Sequence, residues 1–302
     1  MSSSGDPRPP GDIAHLERLL DRWSKQAAAD EDGPGPPAAT GRLRRLVGVT
    51  VVAATLDGLR DSDGVERIGF KGGAALELRF GFKARTSKDL DAAYRGELTE
   101  GLALIAEALA AGWNNFTGVL GEPEDITRAG ITPAPVRVKI KLRYKNRAFI
   151  TIPFEMAAAE GQSMRSPEPL PPAVKLAPVQ LPEPDTIPFL PIRYQIAQKL
   201  HACTEDCGDP ANQRVRDLAD LLLIKELAVA DKDLPAVHAA CTEIFHGRNK
   251  HPWPPAVTLW PDWEQLWARL VDNEGLDLTL EEAATAVGAF IDAIDAAGTA
   301  RP

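Results

Sequence analysis

The stretch KGGAALELRFGFKARTSKDLDAAY, residues 71–94, decides how this chain is read. A Gly-Gly pair opens it, an apolar helical run follows, and a cluster of cations leads to Asp89-Leu90-Asp91. Residues 65–70 before it have the composition of a short strand, 74–80 of a helix and 87–94 of a second strand. Side chains two apart on a strand share a face, so the spacing points Asp89 and Asp91 the same way. Two carboxylates on one face repel. A divalent cation between them is one compensation, and a solvated pair on an edge strand is the other. Two metal ions about 4 Å apart would suit phosphoryl transfer. Gly72 and Gly73, between strand and helix, either let backbone N–H groups face a phosphate or make a plain turn. Ser87 falls two residues before Asp89, on the same face, and carries a hydroxyl for a phosphate oxygen. Lys71, Arg85 and Lys88 surround the pair with positive charge; Lys71 and Lys88 read equally well as solvated cations.

Working outward, the flanking segments suggest further elements. Helical spacing runs over 12–29, 42–59 and 99–111, with a Pro/Gly loop over 31–41 expected to be flexible. Two strand-like runs fill 136–155, with Lys145-Asn146-Arg147 as the hairpin turn. In the first run Arg137, Lys139, Lys141, Arg143, Lys145 and Arg147 alternate with Val136, Val138, Ile140, Leu142 and Tyr144. One face is therefore basic and the other apolar. The basic face fits a nucleic-acid backbone, or an exposed edge guarded against aggregation. Nine prolines fall within residues 167–191, so that segment is expected to be an extended linker. Beyond it the pattern is helical over 192–206, 211–228, 233–245, 262–273 and 279–296, the last opening on a Thr279/Glu282 capping box. Strand, helix, strand, helix and strands in this order suggest a small mixed sheet carrying helices.

These residues also carry a resemblance. A Gly-Gly pair followed by D-x-D resembles the signature of the DNA polymerase β-like nucleotidyltransferases. FKGGAALELRFGFKARTSKDLD resembles more closely the AbiEii family, the toxins of type IV toxin–antitoxin and abortive-infection systems. That family reads K-G-G-[ST]-A-L, a short gap, then R-x-S-x-D-[LI]-D. The chain departs from it at Ala74, where the family carries a hydroxyl. Two later segments extend the likeness: residues 197–202, AQKLHA, match A-x-K-L-x-A, and 214–221, RVRDLADL, match R-x-[KR]-D-x-x-D-L. It spans roughly residues 42–296, ending in a stretch of prolines and tryptophans. Trp253, Trp260, Trp263 and Trp267 are expected to pack the helices together.

The resemblance implies an α+β protein: an N-terminal polymerase β-like nucleotidyltransferase domain over 1–166, the linker over 167–191, and a helical C-terminal domain over 192–302. It implies Mg²⁺ or Mn²⁺ as cofactor, with Asp89, Asp91 and Glu155 as metal ligands. Glu155 would be the third carboxylate that also helps deprotonate the acceptor; on its own it reads as a strand-end glutamate in solvent. Nucleotide contacts are implied for Gly72, Gly73, Ser87, Lys88 and Lys199. Catalytic parts fall to Asp89, Asp91, Glu155, Lys199 and Asp217, with Lys199 reaching the triphosphate and Asp217 orienting it. Without the resemblance, Lys199 and Asp217 read as an interhelical salt bridge. The implied reaction moves a nucleoside monophosphate from an NTP to an RNA acceptor, the tRNA 3′ end, and inhibits translation. Arg137, Lys139, Lys141 and Arg143 become the RNA-binding residues, and an antitoxin encoded nearby becomes a partner. A protein or small-molecule acceptor, or a binding-only relative, are the alternatives.

Composition sets the outer bounds. A chain of 302 residues favours two domains, and 25% charged with 44% hydrophobic residues is ordinary for a globular protein. A net charge of -9 argues against general nucleic-acid binding and leaves only a local basic patch for it. The N-terminus lacks a signal-peptide pattern, and the longest apolar run, 46–56, falls short of the ~20 residues that span a bilayer. Sparse cysteines, Cys203, Cys207 and Cys241, point to the cytoplasm and reduced thiols. The spacing of Cys203 and Cys207 puts them on one helix face, as small packing residues rather than zinc ligands.

Overall fold

The computed structural model describes residues 8–27, 39–125, 133–208 and 210–299. The chain divides into two units. The first runs to Ala159 and takes up Ser166–Leu190; the second takes Glu160–Arg165 and continues from Pro191.

The first unit contains α1 (Ile13–Ala27), α2 (Ala39–Leu56), β1 (Ile68–Lys71), α3 (Gly72–Phe80), β2 (Leu90–Tyr94), α4 (Leu98–Ala111), β3 (Phe116–Leu120), β4 (Glu124–Asp125), β5 (Val136–Tyr144), β6 (Arg147–Ala158), β7 (Glu168–Leu170) and β8 (Ile187–Phe189). Its strands form one sheet in the order β3-β5-β6-β2-β1-β8-β7, with β4 also on β5. β2–β6 and β1–β8 are parallel and the other pairs antiparallel, so the sheet is mixed.

The alternation along β5 sets the two faces of the sheet. Val138, Ile140, Leu142 and Tyr144 are buried, whereas Lys139, Lys141 and Arg143 are exposed. Helices cover the apolar face. A side chain at Gly48 of α2 would lie 2.8 Å from Ile150, so only glycine lets this helix approach so closely. The β5–β6 turn is two residues long, Lys145 and Asn146, at φ 45 and 66. Those angles match the twist of a hairpin, and Asn tolerates them.

Several elements differ from the sequence reading. The Pro/Gly loop expected over 31–41 lies outside the described residues up to 38, and 39–41 already belong to α2. That helix ends at Leu56, not 59. The strand expected from Ser87 begins only at Leu90, after a bend. Residues 167–191 form no free linker, since β7 and β8 lie within them. Pro169 faces Pro188 across that pair, and β7 forms the sheet edge, where the missing N–H of Pro169 is tolerated. Val174, Leu176, Val179, Leu181, Ile187 and Phe189 between the prolines enter the core.

The second unit is helical: α5 (Ile192–Thr204), α6 (Arg216–Ala228), α7 (Leu234–Arg248), α8 (Trp263–Glu274) and α9 (Leu280–Thr299). α6 starts later than the expected 211. Asn212 holds the preceding turn by donating to the carbonyls of Ala202 and Glu205, both at 2.8 Å, and accepting from the Arg214 N–H at 2.7 Å. Trp263 and Trp267 are buried, with indole N–H groups donating to the carbonyls of Asn212 and Leu278. The capping box is present: Glu282 accepts the Thr279 N–H at 2.9 Å, and the Thr279 hydroxyl accepts the Glu282 N–H at 3.2 Å. Residues 160–165 join this unit through Glu160, which accepts from Arg248 at 2.7 Å and Gln198 at 3.0 Å, and through the Gln162 N–H, which donates to Glu243. No described helix is long and apolar enough to cross a membrane.

Candidate active site

Strand register builds the centre of the site. Lys71 on β1 lies opposite Asp91 on β2, Asp91 opposite Glu155 on β6, Glu155 opposite Arg137 on β5, and Arg137 opposite Glu124 on β4. Directly opposed residues share a face with Cβ atoms about 5 Å apart. A row of charges therefore crosses the sheet, with Asp91 and Glu155 adjacent in its middle. Arg137 donates to Glu155 Oε2 at 3.0 Å. Asp89 sits one residue before β2, half-buried like Asp91, with the wholly buried Leu90 between them.

The two glycines fit against this row. Gly72 opens α3 at φ +73, and a Cβ there would run into the Asp91 carboxylate. A Cβ on Gly73 would lie 2.9 Å from Ser87 Oγ and 3.2 Å from an Arg85 nitrogen. The fold thus brings the Gly-Gly pair, Ser87 and Asp91 together, and glycine is required where backbone meets side chain. No side chain caps the N-terminus of α3, whose first-turn N–H groups suit an anion. Ala74, where the family carries a hydroxyl, is fully buried, and Lys88 is exposed.

Sequence reasoning missed Glu77. It lies fully buried on α3 and accepts from Arg42 Nε at 3.0 Å, from Arg45 and from the Ser87 N–H at 2.9 Å. Burial pushes its carboxyl above the usual range, with Arg45, the Ser87 N–H and Arg42 pulling the other way. A lone acid inside the apolar run AALEL was the available signal.

The oxygen donors of Asp89, Asp91 and Glu155 suit a hard divalent cation, and the missing side chain at Gly72 lets the Asp91 carboxylate lie against the backbone that opens α3. Among the described residues, no three His, Cys, Asp or Glu side chains are grouped closely enough to hold a metal ion.

The basic residues of β5 leave this row along the same face. Lys139 lies opposite Pro153, Lys141 opposite Thr151 and Val119, and Arg143 opposite Ala148 and Thr117, all uncharged. The six-cation face expected from sequence is shorter: Lys145 sits in the turn, donating to the Gly11 carbonyl at 2.9 Å, and Arg147 begins β6.

In the second unit, Lys199 of α5 donates to Asp217 and Asp220 of α6, both at 2.7 Å. All three are buried, and Arg214 reaches Asp217 at 3.0 Å. Lys199 and Asp217 were given roles from the sequence, whereas Asp220, in the same motif and on the same helix, was given none. His201 is fully buried, its ring 4.5 Å from that of His251. Burial, with Arg248 and His251 adding to it, brings its pKa down to about 3. Cys203 is buried on α5, but Cys207 is exposed in the loop beyond, so the two do not share a helix face.

A mixed sheet with carboxylates in adjacent register and an uncapped helix N-terminus beside them is an arrangement that nucleotidyl transfer could use. The family model for the nucleotidyl transferase AbiEii toxin of type IV TA systems matches residues 54–293. The chain belongs to this family and is a nucleotidyltransferase toxin. A search of curated proteins gave no match. Among solved structures it is similar to MenT4, a nucleotidyltransferase toxin from Mycobacterium tuberculosis H37Rv, at 16% identity and a TM-score of 0.44, covering 93% of this chain and 97% of that one. Family membership rests on the family model.

Proposed function

We propose that this toxin transfers a nucleoside monophosphate from an NTP to the 3′ hydroxyl of an RNA, that of tRNA. It thereby arrests translation in the cytoplasm until a cognate antitoxin encoded nearby restrains it. Asp89, Asp91 and Glu155 would hold Mg²⁺ or Mn²⁺, which supplies neutralising charge and acidifies the attacking hydroxyl. Gly72 and Gly73 offer backbone N–H groups, Ser87 a hydroxyl and Lys88 a charge to the triphosphate. Lys199, oriented by Asp217, is the compact point charge the second unit would offer to phosphate. Glu155 helps take up the acceptor proton. The acceptor oxygen bonds to the α-phosphorus, the bond from that phosphorus to the β-bridging oxygen breaks, and pyrophosphate leaves with the electron pair. Arg137, Lys139, Lys141 and Arg143 bind RNA phosphates along a stripe of about 20 Å, at ~3.3 Å per strand residue.

One observation carries this reading: Asp91 lies beside Glu155 in register, against a glycine that cannot be enlarged. Purified protein with Mg²⁺, each labelled NTP and total tRNA tests it, alongside Asp91→Ala. Label is expected on tRNA with wild type alone. Equal labelling by a folded Asp91→Ala protein would sink the assignment of Asp91. Pyrophosphate release without labelled RNA would move the acceptor to a protein or a small molecule.

A further inference from the structure

We propose that Glu77 is a positioning residue for the nucleotide, acting through Ser87, beside the Gly72–Gly73 backbone, without touching substrate. The proposal rests on the reading of this site as the nucleotide's.

A buried carboxylate is costly unless its oxygens are used. Both oxygens of Glu77 are used: Oε1 accepts from Arg42 Nε at 3.0 Å, while Oε2 accepts from Arg45 and from the Ser87 N–H at 2.9 Å. Arg42 also donates to the Ala84 carbonyl. One charge therefore ties down both ends of residues 84–87, the segment between the α3 helix and Asp89. At the far end of that segment, Ser87 Oγ occupies the space where a Gly73 side chain would stand. Packing of α3 alone would be met by an apolar residue at 77, because Ala74, Ala75, Leu76 and Leu78 around it are all buried and apolar. The carboxylate instead supplies acceptors aimed at the segment that presents Ser87. If that segment drifts, the hydroxyl leaves the glycine backbone and the phosphate subsite widens. Small displacements of a positioned group are costly for binding and rate.

The test is equilibrium binding of each of the four labelled NTPs, in Mg²⁺, to wild type, Glu77→Gln, Ser87→Ala, the double variant and Arg42→Lys, with urea unfolding alongside. Glutamine keeps an acceptor for Ser87 but cannot hold two guanidinium groups. Glu77→Gln and Ser87→Ala are each expected to weaken NTP binding about tenfold, and the double variant no further, because both act through one hydroxyl. In turnover with RNA, the KM for NTP rises with Glu77→Gln while the KM for RNA stays put. A folded Glu77→Gln protein with wild-type affinity overturns the proposal, as do losses that simply add in the double variant. Should Glu77→Gln fail to fold, Arg42→Lys decides: weaker NTP binding supports the proposal and unchanged binding overturns it. Wild type that binds no NTP overturns the reading of the site and the positioning role together. Wild type that binds, with Glu77→Gln unchanged, overturns the positioning role alone.

Discussion

Glu77 in the first unit and Lys199 in the second are both buried charges, and each is held by two charges of opposite sign. Arg42 and Arg45 hold Glu77; Asp217 and Asp220 hold Lys199. The balance differs: one positive charge is left over around Glu77, whereas Arg214 on Asp217 brings the group around Lys199 to neutrality. The reach of the partners differs as well. Arg42 has a second acceptor at the Ala84 carbonyl, and a backbone N–H shares the load on Glu77. Lys199 is the shared partner of two short, buried aspartates. The comparison teaches that one kind of motif can serve different ends. Around Glu77 the charges hold a segment of backbone, and around Lys199 they hold a charge.

Removing Lys199 breaks the comparison most sharply. Lys199→Met leaves two carboxylates buried without their shared ammonium, and urea unfolding should register a loss of about 3–5 kcal/mol. Adding Asp217→Asn and Asp220→Asn removes both buried carboxylates and should recover most of that stability, since neutral replacements of buried ion clusters are often tolerated. NTP binding should stay lost in the triple variant. Recovery of binding together with stability would make Lys199 a purely structural charge.

Acid sharpens the comparison through its sign. The folded pKa of His201, about 3, lies below its unfolded value near 6.5. Its contribution to stability is therefore present above pH 6.5 and is lost as pH falls toward 3. Each pH unit well inside that window costs about 1.4 kcal/mol. His251, also lowered by burial, acts in the same direction. Glu77 acts oppositely: its folded pKa is raised, so its contribution is fully present below the unfolded carboxyl value and is lost as pH rises through the folded one. Urea midpoints from pH 7 to 4 should fall for wild type and fall less for His201→Phe; identical slopes would remove His201 from the account.

Both buried charges were present in the sequence, but only one was legible. Lys199 and Asp217 stand in short motifs whose spacing is read along the chain. Glu77 looked like one residue of a helix, because Arg42 and Arg45 approach it from another helix that periodicity cannot pair with α3. The same limit applies at the carboxylates. Asp89, Asp91, Gly72, Gly73 and Ser87 are local and readable. That Asp91 faces Glu155 and Glu155 faces Arg137 follows from β2–β6 and β5–β6 register. The strands within 167–191 were hidden for another reason. Proline argues against strand locally, and for β7 the edge position overrides it.

The smallest expected effect isolates a feature read correctly from four residues. Thr279→Ala removes the hydroxyl that accepts the Glu282 N–H, and should cost about 1 kcal/mol of stability in urea unfolding without changing NTP binding.

The path of the chain between the units has a consequence for inheritance. It passes from one to the other at Ala159/Glu160, returns at Arg165/Ser166, and leaves again at Leu190/Pro191. A single genetic crossover at the last junction would deliver the helices of a relative without the matching residues 160–165. Glu160 would then meet a relative's residues in place of Gln198 and Arg248. Recombination between toxins of this kind should therefore favour exchange of the whole gene, or of three junctions at once, over a simple swap of halves.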